Sequence, residues 1–229
     1  TTDSLPQILV VLARPSEPRN IGATCRAIKN FGIHRLLVVT DREIDYEAAR
    51  PLATGADDIL NDVTVVPSLR EGLAGCSLIA GITRRTGQKR KHVSYTPWEF
   101  AAQAGSRYRR PGEVAIVFGN ERSGLSDEEL EECHVAVSIS TSPECPSLNL
   151  SHAVELIAYE LYKDALGRGA PGTAAAVGQD RPARLTAPEI EQHADSIIDS
   201  LERLRFHTQS GPQGMRTFVR DLLARATLS

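Results

Sequence analysis

Residues 8–39 read ILVVLARPSEPRNIGATCRAIKNFGIHRLLVV. The run Ile8 to Leu12 is continuously apolar and rich in β-branched residues, which suits a short strand buried on both faces. Pro15 and Pro18 mark a loop. Asn20 is placed to cap a helix that runs to about Phe31, Gly32 ends that helix, and Leu36 to Val39 supplies a second buried strand. The stretch is a βαβ unit, and strands joined by such a crossover run parallel.

The alternation repeats outward from that unit. A helix is expected near Ser68 to Ala74, a strand over Ser77 to Ala80, a helix starting at Thr96-Pro97 and a strand over Val114 to Phe118. Ser126-Asp127-Glu128-Glu129 has the spacing of a capping box. The strand Val135 to Ile139 and a long helix from about Leu148 to Leu166 complete the pattern. Strands alternating with helices give an α/β fold, a mostly parallel sheet flanked by helices. Residues 167–182 read GRGAPGTAAAVGQDRP, a small-residue and proline stretch that buries little. Beyond it Thr186 and Glu189 form a second capping box, and Ile190, Ala194, Ile197, Leu201 and Leu204 recur at helical spacing. A second tail helix is expected from Met215 to Ala226. The division is therefore residues 1–166 as the main domain, 167–183 as a linker and 184–229 as a small helical extension.

Hydrophobic residues make up 41% and charged residues 24% of the 229, enough apolar side chains for a buried core. A net charge of −3 argues against a protein that coats nucleic acid by bulk charge, so any RNA contact must be a local patch. No apolar run approaches the roughly 18 residues of a membrane span, and Thr1-Thr2-Asp3-Ser4 lacks the features of a signal peptide, so a cytoplasmic setting is expected. Cys25, Cys76, Cys133 and Cys145 are widely spaced and read as buried or idle thiols. The six histidines show no metal-ligand spacing, so no metal site is expected.

Three loops follow strand ends, where ligands sit in open α/β sheets. The first, residues 14–23, leads through Asn20 to Arg26. Asn20 has the alternatives of helix cap or ligand contact, and Arg26 those of surface cation or polyanion contact. The second, FGNERSGL at 118–125, has two glycines five apart that permit a tight turn, yet it is neither a Walker loop nor G-x-G-x-x-G. The third, residues 143–153, contains SLNLS. Ser147 is a natural helix cap there, while Asn149 and Ser151 are polar groups unexpected inside a first turn. No G-x-S-x-G elbow surrounds Ser147, which argues against a hydrolytic nucleophile. A fourth loop carries Arg84, Arg85, Lys89, Arg90 and Lys91, five cations in eight residues. It suits a phosphate backbone. Arg203, Arg205, Arg216, Arg220 and Arg225 in the tail either extend that surface or cover a helical pair.

Taken in order, P-x-N-I-G-A-x-x-R-A at 18–27, F-G-N-E-R-S-G-L at 118–125 and S-L-N-L-S-x-A at 147–153 resemble the three motifs of the SPOUT methyltransferases, in particular the TrmH/TrmJ branch that methylates RNA ribose. The resemblance covers roughly residues 6 to 166, and the tail looks like the TrmJ type. It implies a trefoil knot in the carboxyl-terminal part of the α/β domain, a homodimer and S-adenosyl-L-methionine as cofactor. Ile82, Thr83, Gly119, Ile139, Ser147, Leu148 and Asn149 would then contact the cofactor. Arg26, Asn20, Glu121, Ser147 and Asn149 would form the active site, with tRNA, at an anticodon-loop ribose, as substrate. Relatives often carry Tyr-Ser where this chain has Cys145-Pro146, and Pro146 lacks an N–H. A catalytically weak RNA-binding protein of the same fold is the alternative, and a nucleotide hydrolase a third reading that the missing phosphate-loop lysine disfavours.

Overall fold

The computed structural model describes residues 5–84, 94–107, 112–169, 185–204 and 211–225. Seven strands occur among them: β1 (Ile8–Ala13), β2 (Leu36–Val39), β3 (Thr64–Val66), β4 (Leu78–Ile82), β5 (Ser94–Tyr95), β6 (Val114–Phe118) and β7 (Val135–Val137). The helices are α1 (Pro18–Asn30), α2 (Tyr46–Ala49), α3 (Asp57–Asn61), α4 (Leu69–Gly72), α5 (Pro97–Arg107), α6 (Asp127–Glu131), α7 (Leu150–Gly169), α8 (Ala187–Arg203) and α9 (Gly211–Arg225). The strands form a sheet of order β3-β2-β1-β6-β4-β7-β5 with every pairing parallel.

Alternation along β1 splits the core in two, because successive side chains of a strand point to opposite faces. Ile8, Val10 and Leu12 pack with Ile21, Cys25 and Ile28 of α1, Phe100 of α5 and Val154, Ile157 and Leu161 of α7. Leu9, Val11 and Ala13 pack on the other face with Leu69 of α4, Leu130 of α6 and the start of α8. Each fully buried aliphatic side chain stabilises by about 1.5–3 kcal/mol.

The expected capping boxes at Ser126 and Thr186 both form, and Gly32 closes α1 at φ 70°. Two expected caps do not. Glu17, not Asn20, caps α1, because Pro18 with its preset φ occupies the first helical position. Helix α7 starts at Leu150, and Asn149 rather than Ser147 caps it, its Oδ1 accepting from Ser151 N at 2.9 Å. Strand β7 stops two residues before Ile139, because its ladder partners end there, β5 at Tyr95 and β4 at Ile82, both opposite Val137. Helix α7 continues three residues into the stretch expected to be linker, and α9 begins at Gly211 rather than Met215.

The tail docks on the α/β unit. Ala187 N donates to Cys76 O at 2.7 Å, just before β4, and Arg220 donates to Cys133 O at 3.5 Å, just before β7. Both anchors lie at the amino ends of strands. Arg216 pairs with Glu191 at 2.7 Å and Asp195 at 2.8 Å, so this arginine braces α8 against α9. Cys25, Cys76 and Cys133 are buried and Cys145 is exposed, with no disulfide. Burial pushes the Cys25 and Cys76 thiols up to about 12, which leaves them unreactive at neutral pH. No helix of the described residues is long and apolar enough to cross a membrane.

Candidate active site

The carboxyl ends of β4, β6 and β7 converge on one cleft, and the loop after β1 braces the β6 loop at its rim. Asn120 organises the β6 loop. Its Oδ1 accepts from Arg122 N at 2.9 Å and Ser123 N at 3.3 Å, and its carbonyl accepts from Gly124 N at 2.8 Å. Gly124 sits at φ 70°, a conformation glycine adopts without steric cost. A Cβ on Gly119 would stand 2.1 Å from the Gly124 carbonyl carbon, so the loop folds back at a distance only glycine permits.

From the same loop Asn120 Nδ2 donates to Arg14 O at 2.7 Å. Arg14 holds a left-handed backbone at φ 54°. Its guanidinium forks onto Glu129, both bonds at 2.6 Å, the planar match that makes arginine–carboxylate pairs specific. Glu129 also accepts from Ser126 N at 2.7 Å, so one carboxylate caps α6 and clamps the β1 loop.

Glu121 is the centre of the polar network. One oxygen accepts from Ser16 N at 2.9 Å and Ser16 Oγ at 2.8 Å. The other accepts from Glu17 N at 3.2 Å and Asn20 Nδ2 at 2.9 Å. Partial burial pushes the Glu121 carboxyl up, but the donors from Asn20 and Ser16 outweigh it and hold the group below the ordinary 4.5. Asn149 Nδ2 in turn donates to Asn20 Oδ1 at 3.1 Å, and Asn149 Oδ1 accepts from Ser151 Oγ at 2.7 Å. Because an ionised carboxylate only accepts, Glu121 fixes the orientation of the Asn20 amide and, through it, that of Asn149.

Ile82, Thr83, Gly119, Ile139, Ser147 and Leu148 line the cleft together with Glu121, Asn120, Thr141 and Arg84. Apolar walls beside hydroxyls and backbone polar groups make it a mixed surface. The loop preceding Ser147 is held by Thr141 Oγ1 donating to Pro146 O at 3.1 Å, so Pro146 contributes through its carbonyl. Of the residues singled out in the sequence, Asn20, Glu121 and Asn149 are thus joined directly, while Asn149 spends its side chain on the network rather than on the cleft wall. Arg26 stands apart, exposed on α1 about 9 Å along the helix axis from Asn20. Among the described residues it makes no ion pair. Arg84 is at the cleft, whereas Arg85, Lys89, Arg90 and Lys91 lie outside the described residues. Ser16 and Asn120, which tie the β1 and β6 loops together, carried no signal beyond their place in those loops.

Residues 7–159 match the model of the SpoU rRNA Methylase family. The chain is 34% identical over 229 residues to the tRNA (cytidine/uridine/adenosine-2'-O-)-methyltransferase TrmJ of Pseudomonas aeruginosa, covering 98% of this chain and 89% of that protein. Among solved structures, TrmJ from Z. mobilis ZM4 superposes with a TM-score of 0.72 at 28% identity, over 99% of this chain and 93% of that one. The SpoU methyltransferase AviRb from Streptomyces viridochromogenes, solved in complex with the cofactor AdoMet, shares the fold at a TM-score of 0.53 and 22% identity, over 72% of this chain and 62% of that one.

Proposed function

Because the chain belongs to the SpoU rRNA Methylase family, we propose that it transfers a methyl group to a ribose 2'-hydroxyl of RNA, with tRNA as substrate and S-adenosyl-L-methionine as donor. The observation that carries the reading is the relay from Glu121 through Asn20 to Asn149, which joins the loops after β1 and β6 to the start of α7 beside the cleft. The cleft fits the donor chemically. Ile82, Ile139 and Leu148 offer apolar walls for a nucleobase, and Thr83, Ser147 and the backbone of the glycine loop offer polar partners for the remainder. The donor supplies an electrophilic methyl on a sulfonium.

The side chains then have separable tasks. Glu121 is a poor candidate for the base, because a carboxylate held below its ordinary value and surrounded by donors binds protons weakly. It positions Asn20 and the loops. A guanidinium is a planar fork of donors with no accepting lone pair, so the task of Arg26 is to bind the phosphate next to the target ribose and stabilise the developing alkoxide. A phosphate oxygen or water takes the hydroxyl proton. Asn149 holds the start of α7 against Asn20 while Ser147 faces the cleft, and alignment of hydroxyl and methyl provides most of the rate.

The proposal extends to the assembly. A trefoil knot lies in the carboxyl-terminal part of the α/β domain, an exception to the rule against threaded chains. The protein works as a homodimer in the cytoplasm. In support of the dimer, Leu156, Tyr159 and Leu166 stand exposed on α7, with relative exposures of 43%, 47% and 47%, an apolar stripe that a second copy would cover. The catalytically weak alternative is not favoured, since Asn20, Glu121, Ser147 and Asn149 are all present and three of them are hydrogen-bonded together.

The test is transfer of labelled methyl from S-adenosyl-L-methionine to unmodified tRNA, followed by digestion to nucleosides. Label on a 2'-O-methylated ribose is expected. Label confined to bases, or none despite bound tRNA, overturns the reading.

A further inference from the structure

Trp98 is the only tryptophan in the chain, and it stands 58% exposed on the first turn of α5. A large apolar ring left in water is informative, and here it shares the exposed side of the turn with the charged Glu99 and the small Ala102, whereas Pro97, Phe100 and Ala101 are buried. No other exposed large apolar side chain lies on α5. A protein partner would be expected to meet a cluster of such residues; a lone ring on its helix suits a ligand that stacks.

Its position points to the same edge of the sheet as the cleft. Tyr95 at the end of β5 accepts from Ser138 N at 2.9 Å, and the next residue, Ile139, is a cleft wall. Trp98 follows Tyr95 by three residues, a chain reach of at most about 11 Å. In the sequence, Arg84 at the cleft and the cationic run to Lys91 immediately precede β5. A cation at the cleft, Arg84, and an exposed aromatic ring on the same edge of the sheet are the two components of single-stranded nucleic-acid binding.

We propose that Trp98 is a stacking platform for an unpaired base of the RNA substrate, a few nucleotides from the ribose in the cleft, and so a positioning residue for the reaction. This rests on RNA being the substrate. Stacking is tolerant of base identity, so the residue adds affinity and register for a loop whose bases are splayed out rather than selecting one base.

The single tryptophan makes the test direct. Titrating the full chain with unmodified tRNA, without donor, is expected to quench tryptophan fluorescence and to shield it from acrylamide. Trp98→Ala is expected to raise the KM for tRNA about 5- to 150-fold, with kcat at saturating tRNA, affinity for S-adenosyl-L-methionine and the salt dependence of tRNA binding unchanged, and Trp98→Tyr to recover most of the loss. Far-ultraviolet circular dichroism checks that both variants fold. Fluorescence that ignores bound tRNA, or that changes with protein concentration instead, overturns the proposal, as does a Trp98→Ala enzyme with unaltered KM. If the wild-type protein methylates no RNA at all, the parent reading fails, a result distinct from all of these.

Discussion

Asn20 donates from Nδ2 to a Glu121 carboxylate oxygen at 2.9 Å, although the two are 101 residues apart. The bond joins α1 to the loop after β6, and Asn149 extends it to the start of α7. Each amide in the relay has one orientation, because the Glu121 carboxylate can only accept, which turns Asn20 Nδ2 toward it and leaves Asn20 Oδ1 to accept from Asn149. The site is therefore ordered before any substrate arrives, which reduces the entropy that alignment would otherwise cost.

Glu121→Gln tests this order. The glutamine keeps the shape but turns one accepting oxygen into a donor that faces Ser16 or Asn20. Methyl transfer should fall by on the order of 100-fold with donor affinity less affected. The carboxyl is depressed below 4.5 in the folded state, so its stabilising contribution is complete above that value and is lost as the pH falls through the folded value. The gap in Tm between wild type and Glu121→Gln should thus be constant from about pH 8 to 5 and shrink below it. A gap that widens on acidification would show that the network does not depend on the ionised form.

Arg26 separates catalysis from stability. It is exposed and, among the described residues, unpaired, so Arg26→Ala should change stability by less than about 0.5 kcal/mol by thermal melting. Its kcat should fall about 100- to 1000-fold if the guanidinium stabilises the developing alkoxide. Arg26→Lys keeps the charge without the planar fork, and full activity in that variant would contradict the bidentate role.

How far the sequence revealed this arrangement depended on whether the deciding contact was local. Strand β6 was readable residue for residue, because a central parallel strand is apolar on both faces, and both capping boxes were readable from a three-residue spacing. Strand β3 was not, since Thr64 and Val65 are exposed at the sheet edge, and β5 is only two residues long. Asn20 could be read only as a cap or a contact, because its partner Glu121 is distant in sequence. Pro18 had already displaced it from the cap. The order of three motifs identified the family before any contact was known, yet it did not reveal that Ser16 and Asn120 fasten the loops or that Asn149 is spent on the network.

The two glycines of the β6 loop should respond differently. Gly119→Ala places a methyl 2.1 Å from the backbone of Gly124, and backbone cannot step aside as a side chain can. The expected cost is about 1–3 kcal/mol or more, together with a clear loss of donor affinity by calorimetry. Gly124→Ala meets nothing within 4 Å and has only its φ of 70° to overcome, about 1–2 kcal/mol, with smaller loss of affinity. Equal effects of the two substitutions would mean that loop compactness is not what the cleft requires.

The tail arginines distinguish a structural brace from an RNA surface. Arg216 is engaged by Glu191 and Asp195, and Arg220, with only 11% of its side chain exposed, lies against Glu191, Asp221 and the Cys133 carbonyl. Cations already matched by carboxylates release few counterions from RNA. Removing Arg216 should therefore lower Tm by loosening α8 from α9, while the slope of log affinity for tRNA against log salt stays as in wild type. Arg84→Ala, at the cleft, is the contrasting case: loss of one phosphate contact should make that slope shallower by roughly 0.7–0.9. A change of that size on Arg216→Ala would instead place the tail on the RNA. The two substitutions are more than a hundred residues apart in sequence, on elements that meet the sheet at opposite ends of its strands, so their effects on stability and on salt dependence should add in the double variant.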